Sequence, residues 1–180
     1  MMRVAFQGEP GAYSELAVQH QFPEALAVAC RQFKHVIDAV TTDLVDAGVL
    51  PVENTLAGVV PGVAELLADE RVRVEAEFSL PIHHCLMAVP GAMLATIRSV
   101  LSHPVALAQC TSFFARHPGL AAVEWFDTAG AGRHIAHTGD ATLAAIASEA
   151  AANRYNLSIL EKNLEDRADN QTRFVVIRRG

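Results

Sequence analysis

Short apolar runs of strand length alternate with helix-patterned segments along almost the whole chain, and this alternation restricts the possible fold more than any other feature. Arg3 to Gln7 reads as a first strand. It runs through the turn Gly8-Glu9-Pro10-Gly11-Ala12-Tyr13-Ser14-Glu15 into Leu16, Ala17, Val18 and His20, which have helical spacing. Ala25 to Cys30 is a second apolar run, Phe33 to Val40 is helical, and Asp46 to Val52 is a third strand that stops in Glu53-Asn54-Thr55-Leu56-Ala57-Gly58. Val59 to Leu67 reads as a helix opened by Pro61, and Val72 to Phe78 as a strand. The pattern predicts an α/β layer structure with a largely parallel sheet. In such sheets ligands lie beyond the carboxyl ends of strands, so the Gly8 to Ser14 and Glu53 to Gly58 loops, which both follow strands, are expected on one rim.

Leu80 to Pro90 is an extended run long enough to leave one lobe for another, and the alternation restarts after Gly91. Ile97 to Leu101 reads as a strand, Ser102-His103-Pro104 as a helix start, Val105 to Ala115 as a helix, Ala121 to Phe126 as a strand and Thr128 to His137 as a helix. Ala144 to Ala147 reads as a short buried strand and Glu149 to Tyr155 as a helix, although one continuous helix fits the same residues nearly as well. Leu157 to Leu160 is extended, and the polar stretch Asn163 to Gln171 leads back to Phe174. Two α/β sets with one outgoing and one returning crossing predict two lobes, residues 1–78 with 163–180 and residues 79–162, with a cleft between them as the natural site.

Composition narrows the partners. The 180 residues are 51% hydrophobic and 19% charged, which excludes a disordered chain. The net charge is -6, and no basic run is longer than Arg178-Arg179, which speaks against nucleic acid and anionic membranes as partners. An anionic small molecule would need a local pocket; 12 of the 14 basic residues are Arg, the better side chain for holding a carboxylate in a fork. Met1 to Phe6 leads straight into a strand with no signal-peptide pattern, and no stretch approaches the ~20 apolar residues of a membrane span. Cys30, Cys85 and Cys110 are widely spaced in apolar company, so buried thiols in a reducing cytoplasm are expected. His83-His84-Cys85 invites a metal, but neighbours on a strand point to opposite faces, so no metal is expected. Gly8-x-x-Gly11 lacks the third Gly of a dinucleotide fingerprint and the Lys of a P-loop, so no cofactor follows from it.

The stretch Asn170-Gln171-Thr172-Arg173-Phe174 sets a hydroxyl and a guanidinium directly against the apolar run Phe174 to Ile177. Groups on a strand that enters the core are held still, as a site for an anionic small molecule requires. On an extended segment Arg173 points away from Thr172. It can then grip a carboxylate only if the strand bends or starts later, and an ion pair with Glu53 or another acid is the alternative.

Three stretches together resemble the catalytic domain of prephenate dehydratases: Gly8-Glu9-Pro10-Gly11-Ala12-Tyr13-Ser14, Pro51-Val52-Glu53-Asn54-Thr55-Leu56-Ala57-Gly58, and Asn170-Gln171-Thr172-Arg173-Phe174. Leu80-Pro81-Ile82-His83-His84-Cys85-Leu86, Ser102-His103-Pro104 with Ala106 to Cys110, Thr128-Ala129 and Ala144 to Ser148 match in register, so the resemblance covers essentially the whole chain. It departs in Thr55 where the family usually has Ser, in Pro10 lying one place later after Gly8, and in Gly132 where Ala is frequent.

The resemblance implies a two-lobed, periplasmic-binding-protein-like (type II) fold with an inter-lobe cleft and two crossings, usually in a homodimer, using neither cofactor nor metal. It implies decarboxylating dehydration of prephenate to phenylpyruvate, with Thr172 as the group that helps hydroxide leave. Ser14, Asn54, Thr55 and Gln109 would be neutral donors to the substrate carboxylates, Phe174 would pack beneath the site, and Thr128, Ala129 and Arg173 would complete the substrate contacts. Glu53 is the rival acid, since a carboxylic acid with a raised pKa would donate more readily than a threonine. The ACT-type phenylalanine-binding domain of most members would follow residue 180, so a chain ending there is expected to be insensitive to phenylalanine. Arogenate dehydratase, which differs in a substrate amine, and a non-catalytic cleft-type anion-binding module are the alternatives; the prephenate decarboxylases lack Thr-Arg-Phe.

Overall fold

The computed structural model describes residues 1–180. The chain divides into two compact units, one of Met1–Glu9, Tyr13–Pro81 and Gln171–Gly180, the other of Pro10–Ala12 and Ile82–Asn170. The boundaries expected at residues 78 and 163 therefore move to 81 and 170. The reason is local: the strand before the first crossing continues to Pro81, and residues 164–170 are tied by hydrogen bonds to His84, Gln109 and Thr111.

The first unit contains β1 (Arg3–Gln7), α1 (Tyr13–Gln21), β2 (Leu26–Cys30), α2 (Phe33–Thr41), β3 (Ala47–Asn54), β4 (Gly58–Val59), α3 (Val63–Leu67), β5 (Val72–Pro81) and, from the end of the chain, β11 (Gln171–Arg179). Its sheet runs β2-β1-β3-β11-β5, with β4 paired to β3. β1 is parallel to β2 and β3, whereas β11 is antiparallel to both β3 and β5. The sheet is mixed, not largely parallel, because the returning strand enters from the opposite end. The helix expected from Val59 shortens to α3, since Gly58 and Val59 pair with Asn54 and Glu53 and Gly62 adopts a left-handed φ of 79° before the helix begins.

Alternation along the strands gives this sheet two buried faces. Ala5, Leu50, Val175 and Ile177 pack with Val36, Ile37 and Val40 of α2 and Val63 of α3. Val4, Phe6, Val49 and Val176 point to the other face, and are as fully buried. α1 lies against β1 and β3 and contributes the buried Ala17 and Val18. Gly48 sits where a side chain has no room: a Cβ there would lie 2.7 Å from a Val36 methyl and 2.9 Å from the Ile177 side chain.

The second unit contains β6 (Cys85–Ala88), a short 3-10 turn at Leu94–Thr96, β7 (Ser99–Ser102), α4 (Pro104–Ala108), α5 (Thr111–Arg116), β8 (Ala121–Glu124), α6 (Thr128–Thr138), β9 (Leu143–Ala147), α7 (Glu149–Arg154) and β10 (Ser158–Lys162). Its sheet, β10-β6-β9-β7-β8, is again mixed. The Ala-rich stretch is a strand followed by a helix, broken at Ser148, whose hydroxyl accepts from Ala151 N–H and caps α7. The expected helix from Val105 to Ala115 breaks at Gln109 and Cys110. There the Asp166 carboxylate accepts from the backbone N–H groups of Thr111 and Ser112 and starts α5 afresh. Pro10–Ala12 docks on this unit: Tyr155 Oη donates to the Pro10 carbonyl at 2.5 Å and Ser148 Oγ to the Gly11 carbonyl at 2.7 Å. Gly11 has a φ of 93° and lies so close to Ala151 that a Cβ would meet its Cα at 2.9 Å. No helix is long and apolar enough to cross a membrane.

All three cysteines are free thiols. Burial pushes Cys110 up to about 12, with the Asp166 and Glu165 carboxylates adding to the effect, and raises Cys85 as well. Two predictions follow from this packing. Gly48→Ala should destabilise the fold by about 1–3 kcal/mol, read as a lowered urea midpoint with an unchanged slope. A disulfide reagent at pH 8 should leave Cys85 and Cys110 unmodified in the folded protein and titrate all three thiols in urea.

Candidate active site

The parallel pairing of β1 with β3 brings their carboxyl ends to one rim, and antiparallel β11 starts at that same rim. Thr172 faces Asn54 across the β3–β11 ladder and Leu80 across the β11–β5 ladder, so its backbone is held on both sides. Between them the side chains meet directly: Asn54 Nδ2 donates to Thr172 Oγ1 at 3.0 Å and to the Gln171 carbonyl at 3.0 Å. The other end of the amide, Asn54 Oδ1, accepts from Leu56 N–H and Ala57 N–H, both at 2.9 Å. This Asx-type turn fixes which end of the amide faces Thr172. With its oxygen accepting a hydrogen bond, the Thr172 hydroxyl has its proton to offer.

Arg173 lies on the opposite face of the strand, as alternation requires. Its guanidinium bridges Glu53 at 3.1 Å and Glu77 at 2.9 Å, a cross-strand tie through β3, β11 and β5. The three side chains are about half exposed, so the tie contributes little to stability. A bulge between Arg173 and Phe174 leaves Val52 as the extra residue of β3. Beyond it Phe174 is buried and stacked on Phe78 at 5.8 Å, and Phe78 in turn carries His20 at 5.9 Å.

The remaining expected residues divide. Thr55 Oγ1 accepts from Gln171 N–H at 3.0 Å, and Thr55 N–H donates to the Gln171 carbonyl at 3.0 Å, so this side chain latches the start of β11. Ser14 is buried in the first turn of α1. Gln109, Thr128 and Ala129 belong to the second unit. Ala129 is fully enclosed in that unit's apolar core, and Thr128 opens α6, whose N-cap Asp127 accepts from Gly130 N–H. Gln109 is buried at the α4–α5 break, where its Oε1 accepts from His84 Nε2 at 2.7 Å and from Asn170 Nδ2 at 3.1 Å.

His84, Asn170 and Glu165 went unassigned in the sequence. His84 stood in the Leu80 to Leu86 motif and Asn170 at the head of the Thr-Arg-Phe stretch, but nothing in their spacing revealed Gln109 as their common partner. The Glu165 carboxylate accepts from His83 Nδ1 at 2.7 Å and from His84 N–H at 2.8 Å. Burial pushes its pKa up, but these hydrogen bonds outweigh it and hold the carboxyl below its usual value. His83 and His84 thus point to different partners, and no group of three His, Cys, Asp or Glu residues is placed to hold a metal ion.

Comparison with known proteins agrees with the mixed two-sheet architecture. Arogenate dehydratase/prephenate dehydratase 1, chloroplastic, of Arabidopsis thaliana is 42% identical over 99% of this chain and 45% of its own length. The chain thus spans less than half of that relative. Among solved structures, a prephenate dehydratase in complex with L-Phe from Arthrobacter aurescens superposes with a TM-score of 0.92 at 26% identity, covering 99% of this chain and 61% of that one. GqqA, described as a novel type of quorum quenching acylase, gives 0.91 at 38% identity, covering 99% and 64%. A periplasmic substrate-binding protein of Coxiella burnetii shares the fold at a TM-score of 0.51 and 15% identity. The family model described as prephenate dehydratase matches residues 4–180, and the chain belongs to the prephenate dehydratase family.

Proposed function

We propose that this chain catalyses the decarboxylating dehydration of prephenate to phenylpyruvate, carbon dioxide and water, a reaction of L-phenylalanine biosynthesis. The observation that carries the reading is the hydrogen bond from Asn54 Nδ2 to Thr172 Oγ1. As the bond to the leaving carboxylate breaks, its electron pair enters the ring and the ring C–O bond breaks. The departing hydroxide takes the Thr172 proton and leaves as water. A threonine hydroxyl is a poor free acid, but hydroxide is a far stronger base than the groups it meets at neutral pH, so transfer concerted with C–O cleavage is favourable. Asn54 then donates to the oxygen on which negative charge develops, and solvent restores the proton. Because the amide is locked by its own turn, this donor need not reorganise as charge appears.

Loss of carbon dioxide needs no proton, and holding the departing carboxylate equally in ground and transition states would not accelerate it. Neutral donors suit that requirement, and Ser14 and the Gln109 amide are the candidates for holding the carboxylate that stays. Arg173, engaged with Glu53 and Glu77, acts in this reading as a tie that keeps β11 flat beside β3. Thr128 and Ala129 would shape the substrate's surroundings through the start of α6. Arogenate is the second candidate substrate, favoured by the double name of the Arabidopsis relative. Supplying each compound and following phenylpyruvate or phenylalanine tells them apart, and tight binding without turnover would indicate a binding module. Three free thiols fit a reducing cytoplasm, and the family's usual assembly makes a homodimer the expected state, measurable by sedimentation.

Thr172→Ala should lower kcat for prephenate by about 10²- to 10⁴-fold with little change in KM, and Thr172→Ser should recover most of it. Glu53→Gln should remain near normal; the opposite outcome for this pair would transfer the acid role to Glu53. Asn54→Asp keeps the acceptor for Leu56 and Ala57 but loses the donor to Thr172. It should lower kcat by about 10²-fold with a nearly unchanged melting temperature.

A further inference from the structure

Gln109 is a proposed donor to the substrate, and a glutamine is an awkward choice. Its side chain has several rotatable bonds, and its amide presents either two N–H donors or a carbonyl oxygen depending on a half-turn. The wrong end would set a lone pair against a carboxylate. It also sits at a break between two short helices, where its N–H still bonds the Val105 carbonyl but its own carbonyl accepts from Asp166 N–H instead of from the next helical turn.

We propose that His84 is a positioning residue that, together with Asn170, locks the Gln109 carboxamide with its oxygen inward and its N–H donors directed to a substrate carboxylate. The proposal rests on the reading of Gln109 as a substrate contact. Gln109 Oε1 is 2.7 Å from His84 Nε2 and 3.1 Å from Asn170 Nδ2. Asn170 Nδ2 can only donate, so the atom it meets is the amide oxygen. That oxygen can only accept, so His84 carries its proton on Nε2. A flipped amide would place its NH₂ against the Asn170 NH₂ inside a buried site, leaving both donors unsatisfied, and would oblige His84 to carry its proton on Nδ1 instead. Burial lowers the tendency of His84 to take a second proton, outweighing the hydrogen bond to Gln109 and the nearby Glu165 carboxylate. The imidazole is therefore neutral at pH 7 and carries one ring N–H.

The backbone supports the same arrangement from three segments. His84 N–H donates to Glu165 Oε2, the His84 carbonyl accepts from Leu164 N–H at 3.0 Å, and Asp166 N–H donates to the Gln109 carbonyl at 2.7 Å. Both His84 and Gln109 are thereby fixed to the 164–170 segment that ends in Asn170, one residue before β11. With His84 only 2% exposed and Asn170 only 1%, substrate does not reach them, so their effect would be transmitted through Gln109.

The test is a cycle of variants assayed with prephenate. His84→Phe keeps the ring and removes the donor, whereas His84→Gln can place an N–H where Nε2 was. His84→Phe should raise KM about 10- to 100-fold while kcat changes less than about threefold. His84→Gln should restore most of the affinity, and His84→Phe combined with Gln109→Ala should be no worse than Gln109→Ala alone. A normal KM in His84→Phe beside an impaired Gln109→Ala, or losses that multiply in the double variant, would overturn the proposal. A silent Gln109→Ala would instead overturn the reading on which it rests, and the proposal with it. If His84→Phe does not fold, Asn170→Leu removes the other donor and is expected to raise KM in the same way. Independently, the ¹⁵N shifts of the His84 ring in the unmodified protein should report a neutral ring protonated on Nε2 at pH 7, and an Nδ1–H ring would refute the assignment.

Discussion

The insertion of β11 between β3 and β5 is the contact on which the first unit depends. Those two strands are not neighbours without it: the sheet order passes from β3 to β5 only through residues 171–179, supplied from the far end of the chain. The core of this unit includes Val175 and Ile177, and Phe174 and Val176 are buried beside them, so a chain lacking its last residues would leave both an open edge and an unfilled core. Pairing of such large sequence separation forms late and at high loop-closure cost. The second unit is nearly continuous from Ile82 to Asn170, and only Pro10–Ala12 comes from elsewhere. Emerging from synthesis, its sheet can be paired before the first unit's is complete.

The same insertion fixes the position of the Thr172 hydroxyl. A hydroxyl on a loop would sample several orientations. On a strand paired on both sides it has one backbone position, and the Asn54 amide is held by its own turn to Leu56 and Ala57. Thr55 latches Gln171 at the strand's first residue, where fraying would begin. The three consecutive residues Glu53, Asn54 and Thr55 thus act on three consecutive residues of β11, one pair on one face and the others at the rim. A single-residue slip of register would exchange Thr172 for Arg173 beside Asn54. The bulge at Val52 and the Arg173 tie to both flanking strands oppose that slip.

The sequence carried the elements of both units well, because strand and helix periods are local properties. The opposite orientation of Arg173 and the common rim of the strand-end loops followed from the period of two and from strand polarity. What it did not carry is instructive. The mixed sheets depend on the direction in which a distant strand enters, which no window of residues records. The break at Gln109 is imposed by Asp166, more than fifty residues away, whose carboxylate supplies the N-terminus of α5. Ala129 matched a family motif yet is core, since a small residue at a helix start fits close packing as well as close approach to a ligand. Thr55 kept the hydroxyl expected of it and uses it on the backbone. Family position grouped these residues together, and only geometry showed which of them hold their neighbours in place, as Thr55 holds Gln171.

On the proposed reading, an acidic chain acting on a dianion would need arginines at its site. Six of the twelve, Arg71, Arg116, Arg167, Arg173, Arg178 and Arg179, are held in ion pairs with Asp69, Glu161, Asp169, Glu53 and Glu77, Glu75 and Asp43. The side chain bonded to Thr172 is the Asn54 amide, and those bonded to Gln109 are the Asn170 amide and the neutral His84 imidazole. That choice follows from the chemistry. A guanidinium on the departing carboxylate would stabilise the charge that must be released, deepening the ground state without lowering the barrier. Neutral donors orient the substrate with less stabilisation of the ground state, but only if each presents the correct end, because an amide turned over repels what it should bind. Dependence on neutral recognition therefore creates the need for buried partners such as the Leu56 and Ala57 amides behind Asn54, and His84 and Asn170 behind Gln109.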